Sequence, residues 1–513
     1  MNAGMTSATS ASDDQSVYVT AGVPGIGGSV MRERWRSRSA FVMAAIGSAV
    51  GLGNIWRFPY VCYQNGGGAF LIPYLVALFT VGIPLLIVEF SIGQRFDSAA
   101  PRSFSLVNRR WEWAGWWAVA AAFIIAVYYS VIMAWCLCYL SHSLGLSWGA
   151  DAPAFFLQFL GKTSSPFALG GLNLQIVFAL LFVWTAIYLI LYKGVKSIEW
   201  AIALTVPLPT LLLLVLAVRG ITLPGALEGL EFYLTPNFAK LSSPSVWLAA
   251  YAQIFFSLSL AQGIMIVYAS YLRKKDDITN NAIITALADG GIAFLAGFAV
   301  FSVLGYLSHT TGVPVEEAAG SGIGLAFITY PTAISHLPVA AALFGAIFFL
   351  VLLTFGLNSA FSMVESVSGG VVEKWGLSKP RITFVICLLG FLLSVPLATG
   401  AGSYWVDIAD HFISNFGLVF VGLMECVVFG YVLGTEHIRR QVNRTSDLWL
   451  GRWWDWLIKI VAPVILVFIA AASFVELLAE GYEGLPTGAL MAGGGMVVLS
   501  LVAAIWLMKR RAP

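Results

Sequence analysis

The chain has 513 residues, of which 59% are hydrophobic and only 11% charged, with a mean hydropathy of +0.85. A soluble globular domain carries about 25% charged residues, so this composition excludes one and points to an integral membrane protein in a lipid bilayer. The net charge of +2 is too small, and too clearly sorted between loops, to suggest a nucleic-acid partner.

In chain order, residues 1–30 are rich in Ser, Ala, Thr and Gly and lack an apolar run. They read as a disordered cytoplasmic tail, not a signal peptide. Residues 31–513 read as one membrane domain. Apolar runs of about 20 residues can span a bilayer. Twelve are predicted, near 40–63, 70–94, 113–142, 170–192, 197–218, 245–271, 280–307, 338–372, 382–399, 404–434, 456–479 and 486–508.

Two of these runs are interrupted by small and polar residues. The first contains Gly47-Ser48-Ala49-Val50-Gly51-Leu52-Gly53-Asn54, and the sixth contains Ser257-Leu258-Ser259-Leu260-Ala261-Gln262-Gly263. Glycine lowers the cost of unwinding. Freed backbone groups are tolerated at membrane depth only where they line a protein cavity or bind something. The two breaks lie five helices apart, as in a 5+5 inverted repeat (about 38–218 and 245–434) with two appended helices (about 456–508). Such paired breaks point to a midplane site.

Basic residues cluster on one side of a twelve-span count, for example Arg32, Arg95, Arg102, Lys193, Arg273, Lys274, Lys379 and Arg439, and only Lys162, Arg219 and Lys240 fall on the other. By the positive-inside rule both termini are cytoplasmic. The five cysteines lie within apolar runs, away from any extracellular disulfide. The lone sequon, Asn443-Arg444-Thr445, falls in a cytoplasmic loop. These features suggest a bacterial inner-membrane protein.

The stretches Arg32-Glu33-Arg34-Trp35, Gly47 to Pro59, Asn65 to Phe70, Gln253 to Ser259, Tyr268 to Tyr271 and Gly324 to Pro331 resemble the neurotransmitter:sodium symporters, including their prokaryotic amino-acid transporters. The likeness covers about residues 32–510. It implies an all-α transporter with unwound helices 1 and 6, working by alternating access, and two sodium ions as cofactors. Positions matching the first ion site are Ala49, Asn54, Ser257 and Asp289; those matching the second are Gly47, Val50, Phe355, Asn358 and Ser359. All can offer the oxygen ligands that a hard cation requires. A lone Ser257 or Ser359 would more often bond a neighbouring helix; as a set in register with the breaks, they favour the ion reading.

Asp289 stands where relatives often have Asn, and Ala293 where chloride-dependent members use Ser. A carboxylate there supplies the negative charge, so no chloride requirement is expected; the alternative is a protonated Asp289 bonding a neighbour. Tyr74, Gln253 and Ser257 match the rest of the anion cage. Gly51 replaces the Asp that monoamine carriers use to hold an amine. Its missing side chain leaves room for a substrate carboxylate, which would meet the N–H groups of Leu52 and Gly53, the Tyr129 hydroxyl and sodium. The amine would meet carbonyls of Ala49, Phe256 and Ser259, so the small-molecule substrate resembles a neutral α-amino acid. Ile125, Phe256, Ser259, Gln262, Ser359, Ala360 and Met363 match the side-chain pocket, whose mostly apolar character suits a hydrophobic or aromatic substrate. Gln262 stands where a relative places a bulky aromatic. It could meet a donor on the substrate or turn to the protein backbone.

Arg57 and Asp410 match the family's outer gate. Arg32 and Glu373, with Trp35, Ser270 and Tyr271 nearby, match the inner one. Glu89, Glu365 and Glu425 read as structural hydrogen-bonding hubs. In helix five, Ser197 replaces a family Gly ten residues before Pro207. A sensor that keeps the binding site without transporting is the alternative function. No nucleophile–base pair marks an enzyme, and the sequence does not fix the oligomeric state.

Overall fold

The structure is a computed structural model that describes residues 33–315, 322–337 and 339–510. The tail expected over 1–30, and Arg32 of the expected inner gate, lie outside the described residues. From Arg34 onward the chain forms one compact unit. The described residues are helical and contain no strand, with two isolated bridges, Gly67–Pro236 and Leu172–Thr399.

Among the described residues, ten helices are long and apolar enough to cross a membrane: Gly68–Phe96, Arg109–Ser143, Leu174–Leu191, Val195–Ile221, Thr279–Thr311, Ala341–Trp375, Lys379–Ala398, Gly402–Val432, Arg452–Ala479 and Thr487–Lys509. An eleventh candidate is a bent pair, Arg38–Ala49 and Gly53–Gln64, turned by 53°. The remaining predicted span, 245–271, divides into Pro244–Ser257 and Ile264–Ala269. Numbering the segments in chain order makes the bent pair span 1 and the divided segment span 6. Spans 2, 3 and 10 are mostly buried, whereas spans 9, 11 and 12 turn much of their surface outward.

The first break follows from local chemistry. Ser37 caps the opening helix by accepting the Ala40 N–H. Val50 then turns to extended backbone, and the chain resumes through a π-helical turn, Gly53–Arg57, before Phe58–Gln64.

At the second break, Leu258–Gly263 leaves the helix. Ser259, Ala261 and Gly263 have φ of 53°, 61° and 68°. Only glycine takes such values freely, so Ser259 and Ala261 hold strain of about 1–3 kcal/mol each. Span 5 also breaks, between Val195–Thr205 and Pro207–Ile221, because Pro207 has no N–H to continue the ladder.

Candidate functional site

The two breaks face each other, and polar residues from spans 1, 6 and 7 meet between them. Asn54 Nδ2 donates to Asp289 Oδ1 at 2.7 Å and to Ser257 Oγ at 3.2 Å. Ser257 Oγ donates to Asp289 Oδ2 at 2.7 Å. The Asn54 side-chain oxygen accepts the Gly51 N–H at 3.0 Å, within the break. Asn54, Ser257 and Asp289 are thus in direct contact, and Ala49 is buried at the end of Arg38–Ala49, the helix that precedes the first break. The donor set is a carboxylate, an amide oxygen, a hydroxyl and backbone carbonyls, which suits a hard cation. Nearby, Tyr74 Oη and both polar atoms of Gln253 are buried with no hydrogen-bond partner among the described residues. Tyr74 Oη lies 3.9 Å from where a Cβ on Gly290, the neighbour of Asp289, would stand.

The second predicted group gathers where spans 1, 5 and 8 converge. A Cβ on Gly47 would lie 2.7 Å from Val206 Cγ2 and 3.5 Å from Asn358 Cγ. Phe355, Asn358 and Ser359 share one face of span 8, at i, i+3 and i+4, and all are buried, as is Val50. Thr205 completes the junction: its hydroxyl donates to Asn358 Oδ1 at 2.6 Å, and Asn358 Nδ2 donates back to the Thr205 carbonyl at 2.8 Å. Thr205 is exposed to this role by the Val206 break, and the Pro207 signal could have pointed to it.

The room expected beside Gly51 is filled by protein hydroxyls and leaves no space for a side chain. A Cβ there would stand 2.5 Å from Ser359 Oγ and 2.7 Å from Tyr129 Oη. The Leu52 N–H donates to Tyr129 Oη at 2.8 Å. Gly53 abuts the Phe256 ring, its Cβ position 3.1 Å from Cε1. The Ser48 carbonyl accepts from Ser259 Oγ at 3.0 Å and from Ser359 Oγ at 3.2 Å, so one oxygen joins both breaks to span 8. Ser48 has no chemistry that marks it in the sequence, because its backbone carries the role. Ile125, Ala360 and Met363 are buried. Gln262 is also buried, and its backbone carbonyl accepts from Ser366 Oγ at 2.9 Å. Its Oε1 has no hydrogen-bond partner among the described residues.

At the outer gate, an Arg57 guanidinium nitrogen lies 4.0 Å from Asp410 Oδ2, and the guanidinium sits 4.2 Å from the Phe256 ring centroid. Tyr128 Oη donates to Asp410 Oδ1 at 2.7 Å. Adjacent helical residues point about 100° apart, so Tyr128 serves the gate while Tyr129 serves the break.

At the opposite end, Trp35 is buried against Tyr268 and Tyr271 in edge-on contacts, and its Nε1 donates to the Tyr268 carbonyl at 2.8 Å. Tyr271 Oη donates to Glu365 at 2.6 Å, and Lys379 pairs with the same carboxylate at 2.7 Å. The Ser270 carbonyl accepts from Arg34 at 3.3 Å. Glu373 accepts the Ala99 N–H with both oxygens, at 3.0 and 2.9 Å, ahead of the helix Ala100–Val107.

A further cluster here was not apparent from sequence. Asp97, in left-handed backbone, pairs with Arg34 at 2.9 Å and with Lys274 at 2.7 Å. Arg34 also donates to the Leu272 carbonyl. Glu89 accepts the Ala261 N–H at 2.8 Å, tying span 2 to the strained segment of span 6.

The family model for the sodium:neurotransmitter symporters, described as "Sodium:neurotransmitter symporter family", matches residues 32–155 and 149–512. The chain is 44% identical to an uncharacterised sodium-dependent transporter of Methanocaldococcus jannaschii, over 94% of this chain and 98% of the relative. It is 33% identical to the human sodium- and chloride-dependent GABA transporter 2, over 92% of this chain and 84% of the relative. It is also 32% identical to the rat sodium- and chloride-dependent taurine transporter, over 92% of this chain and 83% of the relative.

Proposed function

The chain belongs to the sodium:neurotransmitter symporter family, and from that premise we propose that it couples sodium entry to uptake of a neutral, hydrophobic or aromatic α-amino acid. It is a multi-pass membrane transporter and not an enzyme. The observation that carries the substrate reading is Gly51, packed against the hydroxyls of Tyr129 and Ser359. Those hydroxyls fill the space beside Gly51, so a carboxylate would enter by displacing them, taking the Leu52 N–H now given to Tyr129 Oη and accepting from the Tyr129 hydroxyl, beside the partly positive helix end at the break. The carbonyls of the opposite break would hold the amine.

Asn54, Ser257, Asp289 and the Ala49 carbonyl would hold one sodium beside that carboxylate. Gly47, Val50, Phe355, Asn358 and Ser359 would hold the other, with Thr205 orienting Asn358. The full ionic charge of Asp289 takes the place of a bound anion, so transport proceeds without chloride, unlike that of the relatives named as chloride-dependent. Filling these positions would order both breaks. Arg57, Asp410 and Phe256 would then close above the substrate. Opening at Trp35 and Tyr271 would release it inward, with both termini in the cytoplasm of a bacterial cell.

Purified protein in liposomes, given an inward sodium gradient with chloride replaced by gluconate, tests this reading. Concentrative uptake of neutral α-amino acids supports it. Uptake of GABA or taurine in their place sinks the substrate assignment, and binding without accumulation favours a sensor.

A further inference from the structure

Span 7 begins at Thr279, and the first N–H groups of a helix have no partner within it. Asp277 accepts the Asn280 N–H at 2.9 Å. The Ile278 and Thr279 N–H groups instead donate to Ser446 Oγ, at 3.0 and 3.2 Å. Ser446 belongs to the loop between spans 10 and 11. The same loop sends the Asp447 N–H to Asp277 Oδ2 at 3.0 Å, and Asp447 Oδ2 accepts from Asn280 Nδ2 at 3.3 Å. Within the loop, Asn443 holds Leu450 by both backbone groups, accepting its N–H at 2.8 Å and donating to its carbonyl at 3.0 Å. The start of the helix that carries Asp289 therefore depends on where residues 443–450 sit.

That loop leads into Arg452–Ala479, a helix long and apolar enough to cross a membrane, so it meets one surface of the bilayer. Trp454 is buried, and its Nε1 donates to the Pro84 carbonyl at 3.3 Å. Trp449, Trp453 and Trp456, by contrast, are 70%, 55% and 64% exposed. Exposed indole rings at such a boundary favour the headgroup layer. Arg440, Arg444 and Arg452 are exposed on the same stretch and form no ion pair with any described residue. The neighbouring carboxylates are engaged: Asp455 with Arg439 at 3.0 Å, Glu436 with Lys459 at 3.3 Å, and Asp447 with Asn280. Guanidinium groups left over beside a headgroup layer attract anionic lipid, whose phosphate oxygens match their donors. We propose that residues 440–456 dock the phosphate groups of anionic phospholipids, and that lipid seated there holds Ser446 against the start of span 7. The inference stands whatever solute the protein carries.

The test is amide hydrogen exchange of the full-length protein in nanodiscs, either of phosphatidylcholine alone or of phosphatidylcholine mixed with phosphatidylglycerol. Exchange at Ile278 and Thr279 should slow at least about fivefold in the mixed discs, the effect of one basic residue near an anionic surface. The combined variant Arg440→Gln, Arg444→Gln and Arg452→Gln should lose that difference while exchanging as the unaltered protein does in phosphatidylcholine. Trp449→Ser with Trp456→Ser should speed exchange at the same amides in both lipids. If the arginine variant does not reconstitute, salt decides with the unaltered protein: high ionic strength should shrink the phosphatidylglycerol effect, and an effect indifferent to salt overturns the proposal. Equal exchange in the two lipids overturns it, as does slowing that the arginine variant retains. Equal slowing in span 12, far from the loop, would mark general stabilisation and also overturns it. So does full reproduction of the effect by soluble glycerol phosphate added to phosphatidylcholine discs, which would assign the arginines to a free anion.

Discussion

Tyr128 and Tyr129, consecutive in span 3, direct their hydroxyls to different layers: Tyr128 to Asp410 at 2.7 Å and Tyr129 to the Leu52 N–H at 2.8 Å. The same helical turn therefore touches the outer gate and the unwound segment. Tyr129→Phe should leave the Leu52 N–H without its acceptor and remove a partner from the substrate carboxylate. Loss of about 1–3 kcal/mol predicts roughly tenfold to hundredfold weaker substrate binding. Tyr128→Phe should spare equilibrium binding more but speed substrate release outward, read as a faster dissociation rate.

Gly51→Ala places a methyl within 2.5 Å of Ser359 Oγ and 2.7 Å of Tyr129 Oη. Both hydroxyls belong to buried side chains, so relief requires those side chains or the break itself to move. Uptake should fall at least about tenfold, the scale of overpacking penalties of about 1–3 kcal/mol. Retained monodisperse elution would show that folding survives. Normal substrate affinity in this variant would contradict the placement of the carboxylate.

Asp289→Asn removes the charge that Asn54 and Ser257 donate to. Hydrogen bonds to charged groups contribute about 1.5–3 kcal/mol, so uptake in gluconate should drop by an order of magnitude or more. Combining it with Ala293→Ser should make the remaining uptake depend on chloride. Uptake by the unaltered protein should be the same in chloride and gluconate.

Much of the membrane architecture is legible before any coordinates, because apolar length is averaged over many residues. The break in span 1 is visible as a glycine run, and the weakening of span 5 as Pro207. The break in span 6 is visible only in outline: Ser259 and Ala261 carry left-handed backbone that neither residue announces. Residues that act through backbone atoms, such as Ser48, or through a partner distant in sequence, such as Thr205 with Asn358, leave no local pattern. The π-helical turns at Leu78–Gly82, Ile413–Gly417 and Cys426–Val432 are equally silent, since one inserted residue does not change apolar periodicity enough to read.

Asp97 draws Arg34 and Lys274 together near the end of span 6. Each pair is partly exposed and individually weak, but the Arg34 contacts with the Ser270 and Leu272 carbonyls make the cluster a latch. Asp97→Asn should favour inward opening. A cysteine introduced beside Tyr268 should then react faster with a membrane-impermeant thiol reagent from the cytoplasmic side, by a few-fold, and sodium should suppress that reaction less. An unchanged rate would assign the cluster a purely local role.

Asp277 lies between spans 6 and 7. Burial acts to raise its carboxyl pKa, but the N–H groups of Asp447 and Asn280, with the Ser446 and Asn280 side chains, outweigh that and hold it below the usual 3.8. A depressed native pKa stabilises the fold fully above the unfolded value and loses that contribution as pH falls through the native one. The clasp should therefore be intact at neutral pH and loosen only below about pH 4. Asp277→Asn should lower the thermal midpoint at pH 7 and lessen its dependence on pH below 4, measured by detergent-solubilised melting curves.

The Ser48 carbonyl accepts two hydroxyls at once, which gives the site an internal redundancy. If an arriving molecule draws either Ser259 or Ser359 away, the oxygen still keeps a donor, so rearrangement need not create a desolvated, unsatisfied group. Exchange of one serine at a time would leave span 1 tied to span 6 or to span 8 through the other. Selectivity and mechanical integrity thereby become separable at a single atom, and drift in the pocket lining can alter one without dismantling the other.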